Sequence, residues 1–193
     1  MYDRQYTLFC LGNSSVGKTS YILRYSDNDF SFHMSSTIGV DYKDKIETLD
    51  NKERVKITLY DTSGQERYKS ISFNMLKYAD AVLLFYDITN RQSFNSVKDW
   101  IESIYNFKDK KFPIVLIGNK IDNEEERVIT KDEGESEALK YNIKFFEISC
   151  KDSINIREPI LHLISIIKSE KENGGNIRLN PKLKKKKEKK KCC

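Results

Sequence analysis

An α/β fold built on a mostly parallel sheet is predicted for this chain, on three observations. Short apolar runs alternate with stripes of helical period along most of its length. The turn after the first run, Gly12-Asn13-Ser14-Ser15-Val16-Gly17-Lys18-Thr19, is glycine-rich and fits the pattern G-x-x-x-x-G-K-[ST]. Three further polar stretches, Asp61–Gln65, Asn119–Asp122 and Ser149–Lys151, each follow an apolar run directly. In such a fold the strand–helix–strand units are right-handed and ligands gather beyond the carboxyl ends of the strands.

Tyr6–Leu11 reads as the first, buried strand, and a helix starts around Ser20–Tyr25. The turn between them lets backbone N–H groups wrap around phosphate oxygens, and the helix N-terminus favours the anion. Ser14, Ser15, Val16, Gly17, Lys18, Thr19 and Ser20 are the binding candidates here. Lys18 and the backbone of Ser15–Thr19 take the outer phosphates, and the Thr19 hydroxyl can ligate Mg²⁺. Tyr42–Thr48 and Val55–Tyr60 read as strands joined into a hairpin by the polar turn Asp50-Asn51-Lys52. Ala81–Tyr86, Ile114–Gly118 and Lys144–Ile148 bring the strands to six. Phe94, Val97, Ile101 and Ile104 step by three and four, as do Ile160, Leu163, Ile164 and Ile167, so both sets predict helices. Pro159 places the start of the last helix within a few residues upstream of it. From about Ser169 the stripe ends. Asn173-Gly174-Gly175-Asn176, Pro181 and a lysine run have no apolar face to bury, which predicts a disordered tail. The organisation is a folded domain over residues 1–170 and a polybasic tail over 171–193.

Charge supports that division. Of the 34 basic residues, eight lysines fall among the last dozen positions, with Glu188 the one acid beside them. The first 181 residues therefore hold 26 basic against 28 acidic side chains, and the overall +5 belongs to the tail. A basic nucleic-acid-binding face on the fold is not indicated. Cys10, Cys150, Cys192 and Cys193 match neither a disulfide framework nor a zinc spacing. Met1–Gln5 contains no signal-like apolar stretch, and Ala81–Tyr86 is too short to cross a bilayer. The expectation is a cytosolic protein whose membrane attachment, if any, is covalent or electrostatic.

The phosphate turn alone does not choose between ATP and GTP. The other stretches do. Asp61 can orient Mg²⁺ through a water, Gly64 can offer its N–H to a γ-phosphate, and Gln65 can orient an attacking water. In Asn119-Lys120-Ile121-Asp122 the carboxylate of Asp122 can accept two hydrogen bonds from the N1–H and exocyclic amine of guanine. Adenine has no such donor pair on that edge, so ATP would leave the carboxylate unpaired. In Ser149-Cys150-Lys151 a backbone N–H can reach guanine O6, and the stems of Lys120 and Lys151 can cover the base faces. Thr37 can add a hydroxyl to the metal and an N–H to the γ-phosphate, and Phe30 can lie edge-on to the base.

Over residues 5 to about 168 the chain resembles a Ras-like small GTPase of the Rab branch. Gly12–Thr19, Thr37–Asp41, Asp61–Arg67, Tyr86–Thr89, Asn119–Asp122, Ser149–Lys151 and the terminal Cys192-Cys193 carry the resemblance, and the look is that of the exocytic Rabs. It implies a Ras-like G domain, a P-loop NTPase fold with a six-stranded sheet and five flanking helices. It also implies GTP or GDP with Mg²⁺ at the strand ends, and switch segments near Phe32–Tyr42 and Ser63–Tyr78. Further implications are geranylgeranyl groups on Cys192 and Cys193 and a place on the cytoplasmic face of an intracellular or plasma membrane, with a cytosolic pool. The implied partners are an exchange factor, a GTPase-activating protein, a GDP-dissociation inhibitor or escort protein and effectors, with the G domain monomeric. Ser63 and Cys150 stand where Rabs usually carry alanine, and Tyr42, Tyr60 and Met75 stand where they display Phe, Trp and Tyr. Two other readings stay open: a GTP-bound scaffold whose hydrolysis Ser63 impairs, and an ATP-using kinase or lysine-driven nucleic-acid binder, which Asp122 and the near-neutral fold disfavour.

Overall fold

The computed structural model describes residues 1–30, 40–62, 76–108 and 112–172. Six strands form one sheet: β1 (Arg4–Gly12), β2 (Val40–Thr48), β3 (Arg54–Thr62), β4 (Ala81–Asp87), β5 (Ile114–Asn119) and β6 (Lys144–Ile148). Their order across the sheet is β2-β3-β1-β4-β5-β6, and only the β2–β3 hairpin pairs antiparallel. All six predicted strands are present, five of them one to three residues longer than the runs that predict them. The helices among the described residues are α1 (Lys18–Asp27), α2 (Arg91–Asn95), α3 (Val97–Phe107), α4 (Lys131–Lys140) and α5 (Glu158–Glu172). Four of these are substantial; the five-residue α2 leads straight into α3.

The alternation along β1 shows how the sheet is covered on both sides. Tyr6, Leu8 and Cys10 face a cluster with Tyr21 and Ile22 of α1 and Ile160, Leu163, Ile164 and Ile167 of α5. Phe9 and Leu11 face the opposite way, onto Trp100, Ile101 and Ile104 of α3. Strand β4 lies at the centre and is buried along its whole length, as a continuous apolar run demands.

Pro159 sits in the first turn of α5, where its missing N–H costs no intrahelical bond. The helix continues to Glu172, three residues beyond the end of the apolar stripe. Helix α4 buries only Gly134 and Ala138 and so has no stripe to betray it. It starts on a capping box: the Glu133 N–H donates to Thr130 Oγ1 at 3.2 Å, and the Thr130 N–H donates to Glu133 Oε2 at 2.8 Å. The hairpin is fastened to α5 by charge. Lys168 Nζ meets Glu53 Oε2 at 2.5 Å, while Arg157, just ahead of the helix, meets Glu47 Oε1 at 2.8 Å.

Candidate functional site

Two glycines allow the turn between β1 and α1. Gly12 has φ +137°, and a Cβ there would lie 2.3 Å from the Phe85 carbonyl oxygen. Gly17 has φ +95°, and a Cβ there would lie 2.2 Å from Asn119 Nδ2. Gly17 is also the N-cap of α1, so the cap residue contributes no side-chain hydrogen bond, and the first turn holds no acid. The helix therefore presents its N-terminus and the positive end of its dipole to whatever occupies the turn. Ser14 and Ser15 are exposed on the rim, Val16 is buried beneath it, and Ser20 lies in the first turn of α1.

Lys18 is 5% exposed, and its ammonium donates to the carbonyls of Gly12 at 3.0 Å and Asn13 at 2.7 Å. Burial lowers its pKa to about 8, against the opposing pull of Asp61. A buried cation beside a helix N-terminus fits a polyanion, which would restore the preference for its charged form. The Thr19 hydroxyl donates to Asp61 Oδ2 at 2.6 Å, so the two oxygens expected near Mg²⁺ adjoin each other at the edge of this cradle. Mg²⁺ is held by one or two protein oxygens together with phosphates and waters, and the pair fits that need.

The other end of the site is made by the loops after β5 and β6. Asn119 Nδ2 donates to the Val16 carbonyl at 2.9 Å, so this side chain ties the base loop to the phosphate turn. Its Oδ1 accepts the Lys120 N–H at 2.8 Å, and Lys120 itself is left-handed, with φ +74°. Ser149 Oγ donates to Asp122 Oδ1 at 2.6 Å and accepts the Asp152 N–H at 2.9 Å. Lys151 Nζ stands 3.8 Å from Asp122 Oδ2. The carboxylate of Asp122 is thus aimed by neighbours on the β6 loop, as expected for a group that must read a purine edge. The Cys150 N–H, expected to meet a purine carbonyl, points at Asn119 Oδ1 from a long 3.4 Å. The Cys150 side chain is buried, which pushes its thiol up to about 12 and keeps it protonated. That thiol also reaches the Gly17 carbonyl of the phosphate turn at 4.0 Å.

Three residues with parts in this site were given no role from the sequence. Arg24 of α1 donates to the carbonyls of Cys150 at 2.8 Å and Lys151 at 3.1 Å, and its guanidinium lies 5.6 Å from the Phe30 ring centroid. It thereby brings Phe30 to the base end. Asp87, at the end of β4, holds Lys120 Nζ at 2.6 Å. Trp100 of α3 donates its indole N–H to Asn13 Oδ1 at 2.8 Å. Among these, only Asp87 had a local signal, its place just past an apolar strand. Thr37, Gly64, Gln65, Cys192 and Cys193 lie outside the described residues, as do Ser63 and Met75.

The comparisons agree with this geometry. The Ras family model matches residues 7–169. "Ras-related protein Rab-3C" of Bos taurus is 41% identical over 166 residues, which cover 86% of this chain and 73% of that protein. "Ras-related protein Rab-3" of Caenorhabditis elegans is 42% identical over 166 residues, covering 86% and 75%. "Ras-related protein Rab-3A" of Homo sapiens is 40% identical with the same coverage.

Proposed function

From the premise that this chain belongs to the Ras family, as a GTPase of its Rab branch, we propose that it is a Mg²⁺-dependent, membrane-anchored switch in vesicle trafficking, of the exocytic kind. The observation that carries the nucleotide assignment is the tie from Asn119 to Val16, which sets an aimed Asp122 across from a buried Lys18. Asp122 chooses guanine; Lys18 and the Ser15–Thr19 backbone hold the phosphates.

The reaction is phosphoryl transfer to water, in which positioning and charge neutralisation dominate. Thr19 and Thr37 are the proposed metal ligands, with Asp61 acting through a water. Held by those residues, Mg²⁺ would supply charge neutralisation at the phosphates. Gly64 offers its N–H to the γ-phosphate, and Gln65 orients the attacking water. No arginine stands in Gly12–Thr19 or Phe32–Tyr42 to act as a finger in cis. Unaided turnover is therefore slow, and an activating protein supplies about 10³–10⁵-fold. Tyr42 is 57% exposed and its ring lies 5.7 Å from that of Tyr60, which in turn stacks on Phe9 at 4.6 Å. These two tyrosines, together with Met75, are proposed to be read by effectors.

Attachment falls to Cys192 and Cys193. Two geranylgeranyl chains give the dual signal that stable anchoring requires, and each nearby lysine adds about 1 kcal/mol at an anionic leaflet. Among the described residues no helix is long and apolar enough to cross a membrane. The proposed location is the cytoplasmic face of an intracellular or plasma membrane. A GDP-dissociation inhibitor or escort protein keeps a separate pool in the cytosol, and an exchange factor loads GTP.

Excess ATP should fail to displace bound GDP; equal competition by ATP refutes the base assignment. Gln65→Leu should slow hydrolysis with and without activator, and wild-type rates in that variant refute the role of Gln65. Replacing Cys192 and Cys193 by serine should release the protein from membranes. Ser63, beside the glycine that must reach the γ-phosphate, favours a second reading as a GTP-bound scaffold, which single-turnover phosphate release distinguishes.

A further inference from the structure

The segment that begins with Asp87 and ends with Trp100 reaches the site at both ends. At the base end Asp87 grips Lys120, and the Asp87 N–H is itself held by Ser93 Oγ at 3.0 Å. At the phosphate end the Asn13 amide is taken from both sides. Its Oδ1 accepts the Trp100 indole N–H at 2.8 Å, and its Nδ2 donates to Ser96 Oγ at 3.0 Å. Ser96 is the N-cap residue of α3, and its hydroxyl is anchored by donating to the Gln92 carbonyl at 3.0 Å. Core packing asks only that position 100 be large and apolar. It does not ask for a polar handle aimed at a turn 87 residues earlier in the chain.

We infer that Trp100 and Ser96 are positioning residues for phosphate binding: by clamping the Asn13 side chain they fix the Asn13 carbonyl, and that carbonyl fixes the Lys18 ammonium. The inference rests on the nucleotide reading of the site. Gly12 on one side and the exposed Ser14 and Ser15 on the other give the turn little stiffness of its own. Asn13 is the point where a helix of the core grips it. Since its carbonyl takes Lys18 Nζ at 2.7 Å, a loosened side chain lets the ammonium wander from where the phosphates need it. Asn13 is thereby given a part in the site through its side chain, beyond the backbone role that the motif assigns.

The experiment uses the full chain loaded with Mg²⁺ and a fluorescent GDP, and follows nucleotide release during a chase with unlabelled GDP. Asn13→Ala and Trp100→Phe should each speed release about three- to ten-fold, the worth of one neutral hydrogen bond. Because the two act through that bond, the double variant should release no faster than the quicker single one. Trp100 is the only tryptophan, so the protein has one indole N–H resonance. That resonance should move to the position of an unbonded indole in Asn13→Ala while the thermal midpoint stays within a few degrees. Should Trp100→Phe not fold, Asn13→Ala and Ser96→Ala, which remove no core side chain, carry the test. Release rates within two-fold of wild type, rates that multiply in the double variant, or an unmoved indole resonance overturn the inference. If wild type retains no guanine nucleotide, it is the assignment of the site that fails, a result distinct from tight wild-type binding that the variants leave untouched.

Discussion

Replacing Gly17 by alanine tests how closely the two ends of the site are coupled. The new Cβ would sit 2.2 Å from Asn119 Nδ2, so the amide must retreat by roughly 1 Å to reach ordinary contact. That retreat breaks the 2.9 Å bond to the Val16 carbonyl and strains the 2.8 Å bond from the Lys120 N–H. Leaving buried partners unpaired costs about 1–3 kcal/mol, and holding an L-residue at φ +95° adds about 1–2 kcal/mol. The expected loss is therefore about 2–5 kcal/mol, a large share of the 5–15 kcal/mol that typically holds a domain together. Urea denaturation of wild type, Gly17→Ala, Asn119→Ala and the double variant, all without nucleotide, measures it. Truncating Asn119 removes the obstructing atoms, so the double variant should lose less than the two single losses added. Strict additivity, or a loss below about 1 kcal/mol in Gly17→Ala, would refute the coupling. Gly12→Ala is the contrasting case. Its Cβ would meet the Phe85 backbone carbonyl at 2.3 Å, which no side-chain truncation can relieve.

Thr130→Ala should cost about 1 kcal/mol in urea denaturation, because it removes one half of the capping box that starts α4. Glu133, which completes that box, is held down to about 2 by Arg91 first and by the Thr130 N–H second. A carboxylate lowered in the folded state lends stability above its ordinary value of 4.5 and loses it as the pH falls toward 2. An acid titration followed by circular dichroism should therefore show a shallower acid limb in Arg91→Ala than in wild type; identical limbs would count against the pairing. Lys168→Ala should destabilise by about 1–3 kcal/mol, since it leaves Glu53 mostly buried with Arg4 as its remaining ion-pair partner. Asp122→Ala should erase most of the preference for guanine over adenine, a change of about 3–6 kcal/mol from two charge-assisted bonds, read by competitive binding of GDP and ADP.

Much of the molecule is legible in one dimension because its signals are local. An apolar run of five or six residues marks each strand except β2, a mostly polar seven-residue stretch legible through its hairpin turn, and stripes at three- and four-residue steps mark α3 and α5. The phosphate turn is legible because glycine is required at Gly12 and Gly17 by space and by φ. Helix α4 is not, because it buries little more than a glycine and an alanine; Thr130 and Glu133, three apart, were its one written sign. The residues that aim the site are hidden for a different reason. Arg24 meets Cys150 across 126 positions, and Trp100 meets Asn13 across 87, so only the folded arrangement reveals what those side chains hold. Asp87 falls between these cases. Its place after β4 is readable, whereas its grip on Lys120 depends on the β4–β5 register that sets Asp87 opposite Asn119.

The sheet order also bears on how the chain is made. Strand β1 leaves the ribosome before the other five strands, yet both of its neighbours, β3 and β4, are encoded downstream at Arg54–Thr62 and Ala81–Asp87. Until Ala81–Asp87 has emerged, β1 has no partner strand on one flank, and pairing must close long loops. The nascent polypeptide thus carries an unfinished, sticky ribbon until β4 has been made, which is the interval in which a chaperone or a too-close sister chain would meet it.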